Sequence, residues 1–508
     1  MNAFPLLRPL QRLQRERFDL LVIGGGIFGA WIAADAASRG AHVALVEARD
    51  WAAGTSSASS KLIHGGLRYL QQWQFGLVRE ALRERGRLRR LAPHLVQPLE
   101  FVLPLWRGDG DNPLKLRLGL SLYDWLAGSG SLAGHRHLSR QTLLNEQPAL
   151  RAPALRGGFS YGDNQEDDAR LVLEVVAAAQ AAGAVCVSRL RAEALLRRSG
   201  GSVAGAAVHD ELDGQRFELQ AGSVVAAVGP WLRPLLGALT PPLRLIRGAH
   251  LVLPALPGPR RGLILRAPQD GRAFFVLPWY RRTLLGTTET EVEDAGAAAG
   301  QPSATERDYL LGAAAARLPG ADWRAETVIA GFAGVRALQA QPVNRLSRIS
   351  REFELLHPAP RLWVPLGGKY TTARAAAEQV VDALAAEAGL RLAACATAQR
   401  RLPGAPRSDL ARWAQEQSSR LQALGVPPHC TQQLLQRYGT RVTSIERLLQ
   451  QRPRLAAPLH PELSFIAAEA LLAGAEEDVH CDDDLLRRRL PLRLLAPDGS
   501  YHLPEKPA

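Results

Sequence analysis

Between Phe18 and Asp50 the chain spells out a strand, a glycine turn, a helix and a second strand, and few folds accept that order. Residues 20–23 are a short apolar run of the kind that forms a strand buried on both faces. Gly24, Gly26 and Gly29 then read G-x-G-x-x-G, with Gly25 inside the motif. Ala30–Ser38 predicts a helix, Gly40 stops it, and Val43–Val46 predicts a second strand ending at Glu47. The first glycine makes the tight turn, the second lets backbone approach a pyrophosphate, and the third lets helix pack on strand. The helix start offers unpaired N–H groups to phosphate, and Glu47 can accept hydrogen bonds from a ribose. This segment predicts a bound dinucleotide.

At 508 residues the chain has room for two or three domains. No run of about 18 apolar residues predicts a membrane span, and Met1–Arg17 lacks the apolar centre of a secretory signal. Cys186, Cys395, Cys430 and Cys481 lie far apart, which fits a reducing compartment and argues against a disulfide framework or a metal site. The net charge of +13 permits contact with an anionic lipid surface. It does not predict nucleic-acid binding, because the arginines are scattered and form no basic stripe interleaved with aromatics. Only four of the 62 basic residues are lysine, and two of these, Lys61 and Lys369, fall inside motifs.

After Glu47 comes Thr55-Ser56-Ser57-Ala58-Ser59-Ser60-Lys61-Leu62-Ile63-His64-Gly65-Gly66-Leu67-Arg68-Tyr69. Small hydroxyl residues followed by paired glycines suit a backbone running against a flat ring and a phosphate. Further on, the pattern predicts a helix over 77–91, a strand over Leu99–Trp106 and a helix over Leu116–Leu126. A helix over 170–183 and a buried strand over Ser223–Gly229 follow, then several strands over 241–292. Gly367-Gly368-Lys369-Tyr370-Thr371-Thr372 opens a long helix, and a Pro/Gly/Arg-rich linker at 399–408 precedes a helical C-terminal part. There Arg487-Arg488-Arg489 reads as a solvated face.

Thr55–Tyr69, Leu122–Gly128 and Asp167–Leu171 together resemble the FAD-dependent glycerol-3-phosphate dehydrogenases of the aerobic, quinone-linked type. Ala227–Trp231, Arg247–His250, Gly286–Thr288, Gly334–Arg336 and Gly367–Thr372 continue the resemblance in order. It implies an α/β fold: a doubly wound FAD-binding domain of the glutathione-reductase and amino-acid-oxidase kind, an inserted antiparallel-sheet substrate domain, and a helical C-terminal domain. The expected boundaries are 18–95, 151–240 and 345–395 for the FAD domain, 96–150 and 241–344 for the cap, and 396–508 for the helical part. FAD would be non-covalent, against Gly24, Gly25, Gly26, Gly29, Glu47, Thr55, Ser56, Ser57, Ser60, Lys61, His64, Gly65, Gly66, Gly229, Gly368, Lys369 and Thr371.

The same resemblance implies oxidation of sn-glycerol 3-phosphate to dihydroxyacetone phosphate, with electrons passed to a membrane quinone. An alcohol giving hydride to flavin must also lose a proton to a base. His250 is that base by resemblance, with Arg336 polarising the oxygen. Arg68, Tyr69, Thr288, Arg351 and Lys369 would bind the substrate, arginine because its planar fork grips phosphate. The expected setting is the cytoplasm, peripheral on the cytoplasmic face of the inner membrane, and a homodimer is left open. Two positions depart from the family pattern. Val228 replaces a threonine before Gly229, and Glu289 replaces the aspartate after Gly-Thr-Thr. Those departures keep open another phosphorylated alcohol, or an amine, as substrate. A flavin-binding scaffold without turnover is the third reading.

Overall fold

The computed structural model describes residues 3–72, 74–110, 112–128, 132–340 and 352–504. Strand Phe18–Ile23 lies between Val43–Val46 and Arg216–Ala226, parallel to both, inside an eight-stranded sheet. Its alternation supplies two cores at once. Leu20 and Val22 pack beneath the helices Ile27–Ser38, Asp168–Ala181 and Ala373–Ala388, while Leu21 and Ile23 face Val208 and Leu219 on the other side. A strand apolar at every position is what burial on both faces demands.

A second, ten-stranded sheet carries the inserted region. Its backbone is the antiparallel pairing of Leu243–Pro254 with Ala330–Gln339, flanked by Arg282–Gly286 and Ala273–Trp279. Leu155–Gln165 also belongs here, paired with Gln97–Trp106, although the expected boundary placed it in the nucleotide-binding part. Apolar patterning marks a strand without saying which sheet it joins. Residues beyond the linker form their own helical core from Leu421, Leu434, Tyr438 and Ile445 on Leu410–Ala423, Pro428–Tyr438 and Val442–Gln451.

The arginine run near the C-terminus corrects the sequence reading. Arg488 and Arg489 are buried, and both guanidinium groups bind Asp50, just after the second strand. Arg489 also donates to the Glu477 carbonyl. A charge run is soluble by default, but carboxylates brought from elsewhere in the chain make its burial affordable.

Candidate active site

One cavity of 1480 Å³ runs from the glycine turn of the first sheet to the face of the second. That exceeds the roughly 300–1,000 Å³ of most small-ligand pockets and leaves room for a dinucleotide together with a substrate. Gly24 has φ +112°, and a Cβ there would lie 2.6 Å from the Ala227 carbonyl. A Cβ on Gly29 would meet the Gly24 carbonyl at 1.9 Å, so only glycine lets the helix sit this close. Gly26 lines the cavity, and a Cβ there would reach within 2.9 Å of Ser56 Oγ. Ser56 Oγ in turn accepts the first free N–H of the helix, from Ile27, at 3.0 Å.

Glu47 lines the cavity and accepts from the Gly25 N–H at 2.6 Å and the Arg49 N–H at 2.8 Å. Burial holds its carboxyl above the ordinary range, while those backbone donors favour the charged form. Gly25 and Gly29 are set back from the cavity wall, the one holding Glu47 and the other the helix. Gly229, Gly368, Lys369 and Thr371 also line the cavity, and Gly368 (φ +73°) turns the chain out of strand Leu362–Gly367 beside Phe28.

Thr55, Ser56, Ser60, His64 and Gly66 line the cavity as the sequence predicts. Thr55 Oγ1 donates to the Val335 carbonyl at 2.5 Å, pinning the serine loop to the strand that carries Arg336. His64 is anchored by its N–H to Thr371 Oγ1 at 3.2 Å. Three neighbours face elsewhere. Lys61 is buried, with Nζ 2.6 Å from Asp168 Oδ1 and 2.7 Å from the Ser57 carbonyl, so it braces the loop rather than touching a cofactor. A buried ammonium needs a carboxylate, and Asp168 sits within reach at the start of helix Asp168–Ala181. Ser57 is turned back in the same brace. Gly65 packs against Leu82 and the Tyr123 hydroxyl, with no space for a side chain.

At the second sheet, His250, Gly248, Phe332 and Arg336 share one face, because they stand at alternating positions of paired strands. The Arg336 guanidinium lies over Gly248, where a Cβ would come within 3.1 Å of Nη1, and Arg336 lines the cavity. Lys369 Nζ sits 3.7 Å above the Tyr69 ring, and both also line the cavity. Two of the expected roles do not fit the geometry. Thr288 Oγ1 accepts from the Ala249 N–H at 2.9 Å and donates to Glu306 at 2.9 Å, leaving Thr287 to line the cavity. His250 is 1% exposed and stands behind Ser60 rather than on the cavity wall. Burial, then Arg336 and Lys61, push its imidazole down to about 3, so it is neutral near pH 7. Arg351 and the Arg68 side chain lie outside the described residues.

Sequence reasoning did not foresee two side-chain partners, Asp168 and Arg272. Asp168, the partner of Lys61, falls in the Asp167–Leu171 motif, which gave a signal without a role. Glu289 lines the cavity and pairs with Arg272 at 3.3 Å, so its longer side chain meets an arginine just before strand Ala273–Trp279. Nothing in the local sequence predicts that partner.

A glycine cradle that a Cβ would fill, a helix start aimed at it and a glutamate on the cavity wall are the parts of a dinucleotide site, and residues 19–383 match the family model described as FAD dependent oxidoreductase, so the chain is an FAD-dependent oxidoreductase. Residues 395–506 match the model for the C-terminal domain of alpha-glycerophosphate oxidase. The chain belongs to the glycerol-3-phosphate dehydrogenase family. It is 38% identical over 500 residues to glycerol-3-phosphate dehydrogenase 2 of Mycobacterium tuberculosis (strain ATCC 25618 / H37Rv), covering 96% of this chain and 83% of that one. It is 32% identical over 493 residues to the aerobic glycerol-3-phosphate dehydrogenase of Staphylococcus epidermidis (strain ATCC 12228 / FDA PCI 1200), covering 94% and 87%. The solved glycerol-3-phosphate dehydrogenase of Bacillus halodurans, complexed with FAD, superposes with a TM-score of 0.76 at 29% identity, covering 96% of this chain and 88% of that chain. A glycine oxidase from Geobacillus kaustophilus shares the fold, with a TM-score of 0.55 at 22% identity over 77% of this chain and 99% of that one.

Proposed function

We propose that this chain oxidises the secondary alcohol of sn-glycerol 3-phosphate to the ketone of dihydroxyacetone phosphate, passing the electrons to a membrane quinone. The observation that carries this reading is the continuity of one cavity from the glycine cradle to Arg336 and Lys369. FAD, when bound along Gly24, Gly26, Glu47 and Gly368, supplies the hydride acceptor. The protein's own residues do the rest. Lys369 and Tyr69 face the phosphate, and Arg336 faces the alcohol oxygen, where a fixed cation is worth most as negative charge develops. His64 is the one histidine lining the cavity among the described residues, and it takes the alcohol proton. His250 does not suit that role, since a buried imidazole beside Arg336 resists a second positive charge.

Membrane docking belongs to the same proposal. No helix among the described residues is long and apolar enough to cross a membrane. Helix Pro113–Ala127 nevertheless exposes Leu114, Leu118 and Trp125, with Lys115 and Arg117 beside them and Leu116 lining the cavity. Apolar side chains flanked by cations suit an anionic lipid surface, on the cytoplasmic face of the inner membrane. Anaerobic mixing with sn-glycerol 3-phosphate should bleach the flavin, whereas glycerol and glycine should not. Bleaching by an amine, or by an unrelated phosphorylated alcohol alone, would replace this substrate, and no bleaching by any of them would favour a scaffold.

A further inference from the structure

His250 is a buried histidine with a single polar outlet. Its Nε2 lies 2.9 Å from Ser60 Oγ, while its Nδ1 is buried without a hydrogen-bond partner among the described residues. The ring stacks on Phe332 with centroids 5.0 Å apart. On its other side Gly286 makes room, since a Cβ there would come within 2.3 Å of His250 Cδ2. The imidazole is therefore held in one place by apolar contacts, and among the described residues Ser60 alone connects it to the cavity that Ser60 lines.

The geometry also selects a tautomer. An orphaned buried N–H is rarer in proteins than an acceptor with an unused lone pair. With the proton on Nδ1, a donor would be buried with nothing to receive it. With the proton on Nε2, that N–H donates to Ser60 Oγ and Nδ1 keeps only a lone pair. Ser60 Oγ, already accepting from His250, then has its own hydrogen free to point away from the ring, into the cavity. Arg336 and Lys61 are the charged groups acting on this ring. Both are cations, so both favour the neutral imidazole that this arrangement requires.

We propose that Ser60 is a catalytic residue whose hydroxyl donates a hydrogen bond to the reacting alcohol oxygen, and that His250 is a positioning residue that orients it. This rests on the reading that the alcohol binds beside Arg336. Ser60 and Arg336 then act together: as the oxygen loses its proton to His64, two preorganised donors face the charge that develops on it. The family motif contains a run of serines, and this contact separates Ser60 from the others, since Ser56 caps the helix and Ser59 binds Asp168.

Rapid-mixing measurement of flavin reduction by sn-glycerol 3-phosphate in a double-mutant cycle tests the pair. Ser60→Ala should slow reduction about 100–1000-fold, the usual loss on deleting one such donor, with little change in KM. Ser60→Thr, which keeps the hydroxyl, should recover most of the rate. His250→Phe preserves the stacked shape and should also slow reduction, yet the double variant should be no slower than Ser60→Ala alone. The ionisation seen in the pH profile should survive in both single variants. Independent, multiplying losses would overturn the pairing, and an ionisation lost in His250→Phe but kept in Ser60→Ala would make His250 the base.

A second measurement needs no turnover. Nitrogen-15 resonances of histidine-labelled, FAD-loaded enzyme should show His250 neutral and protonated at Nε2 from about pH 8 to pH 5, with a shift in Ser60→Ala. A ring protonated at Nδ1, or charged in that range, overturns the proposal. If sn-glycerol 3-phosphate fails to reduce the wild-type flavin, the substrate assignment falls, and the resonances still decide the pair.

Discussion

Trp51 Nε1 donates to Asp478 Oδ2 across 2.8 Å, joining residues 427 positions apart in the chain. The Trp51 ring packs beneath the glycine turn, where a Cβ on Gly25 would lie 2.5 Å from it. Asp50, the residue before, is held by Arg488 and Arg489. The C-terminal part therefore grips the turn that follows Glu47, and the cofactor cradle depends on both ends of the sequence.

Breaking that grip should weaken cofactor retention. Trp51→Phe keeps an aromatic ring but loses the indole N–H and some buried volume, and the lost hydrogen bond alone costs about 0.5–1.5 kcal/mol. Arg489→Met leaves Asp50 and Glu477 short of a cation in the interior and should cost about 3–5 kcal/mol. Denaturant unfolding of FAD-loaded protein, with flavin affinity measured in parallel, checks both. The order of the two effects is the informative part.

Acid should loosen the same clamp. Burial would raise the Asp484 carboxyl, but the His480 N–H and the Arg189 guanidinium outweigh it and lower it from 3.8 to about 2. Glu477 is lowered likewise: Arg170 and Arg441 overcome its burial. A carboxyl depressed by folding contributes stability that is complete above its unfolded value and is lost as pH falls toward its folded value. Stability should therefore decline as pH drops from about 4 to about 2, and Asp484→Asn should flatten part of that decline. Unfolding curves across that range read it directly.

Gly26→Val should give folded but colourless protein. Its side chain would occupy the space between the glycine turn and Ser56 Oγ, which a pyrophosphate must use. Flavin absorbance per mole of purified protein is the measurement, with circular dichroism confirming the fold. Full flavin content would move the cofactor elsewhere.

Arg336→Lys should lower the rate of flavin reduction about 100–1000-fold while FAD binding persists. An ammonium keeps the charge but cannot supply the two parallel hydrogen bonds of a guanidinium. Single-turnover reduction with varied sn-glycerol 3-phosphate separates this from a loss of binding. A wild-type rate would remove Arg336 from the reacting oxygen.

The exposed face of helix Pro113–Ala127 should govern lipid contact. Leu118→Glu and Trp125→Asp, both at exposed positions, should abolish flotation with anionic vesicles and leave reduction by soluble substrate unchanged. Salt should weaken wild-type binding as screening shortens the reach of Lys115 and Arg117. Binding that survives both variants would place the docking surface elsewhere.

What the sequence determined by itself is local. The glycine turn and the helix that starts at Ile27 are set by backbone angles and hydrogen bonds that close within a few residues, and the strands beside them show as short apolar runs, so all can be read in order along the chain. The ordered motifs carried the family for a similar reason, because each is a short stretch with its own conformational demand. Which way a side chain faces was decided only by tertiary structure. Lys61 turned to Asp168, Thr288 to Glu306, His250 to Ser60, and the run Arg488–Arg489 to Asp50. Every one of these is a polar group leaving water, and such a group settles wherever a partner of opposite character waits. Those partners come from distant parts of the chain, and only packing brings them within reach.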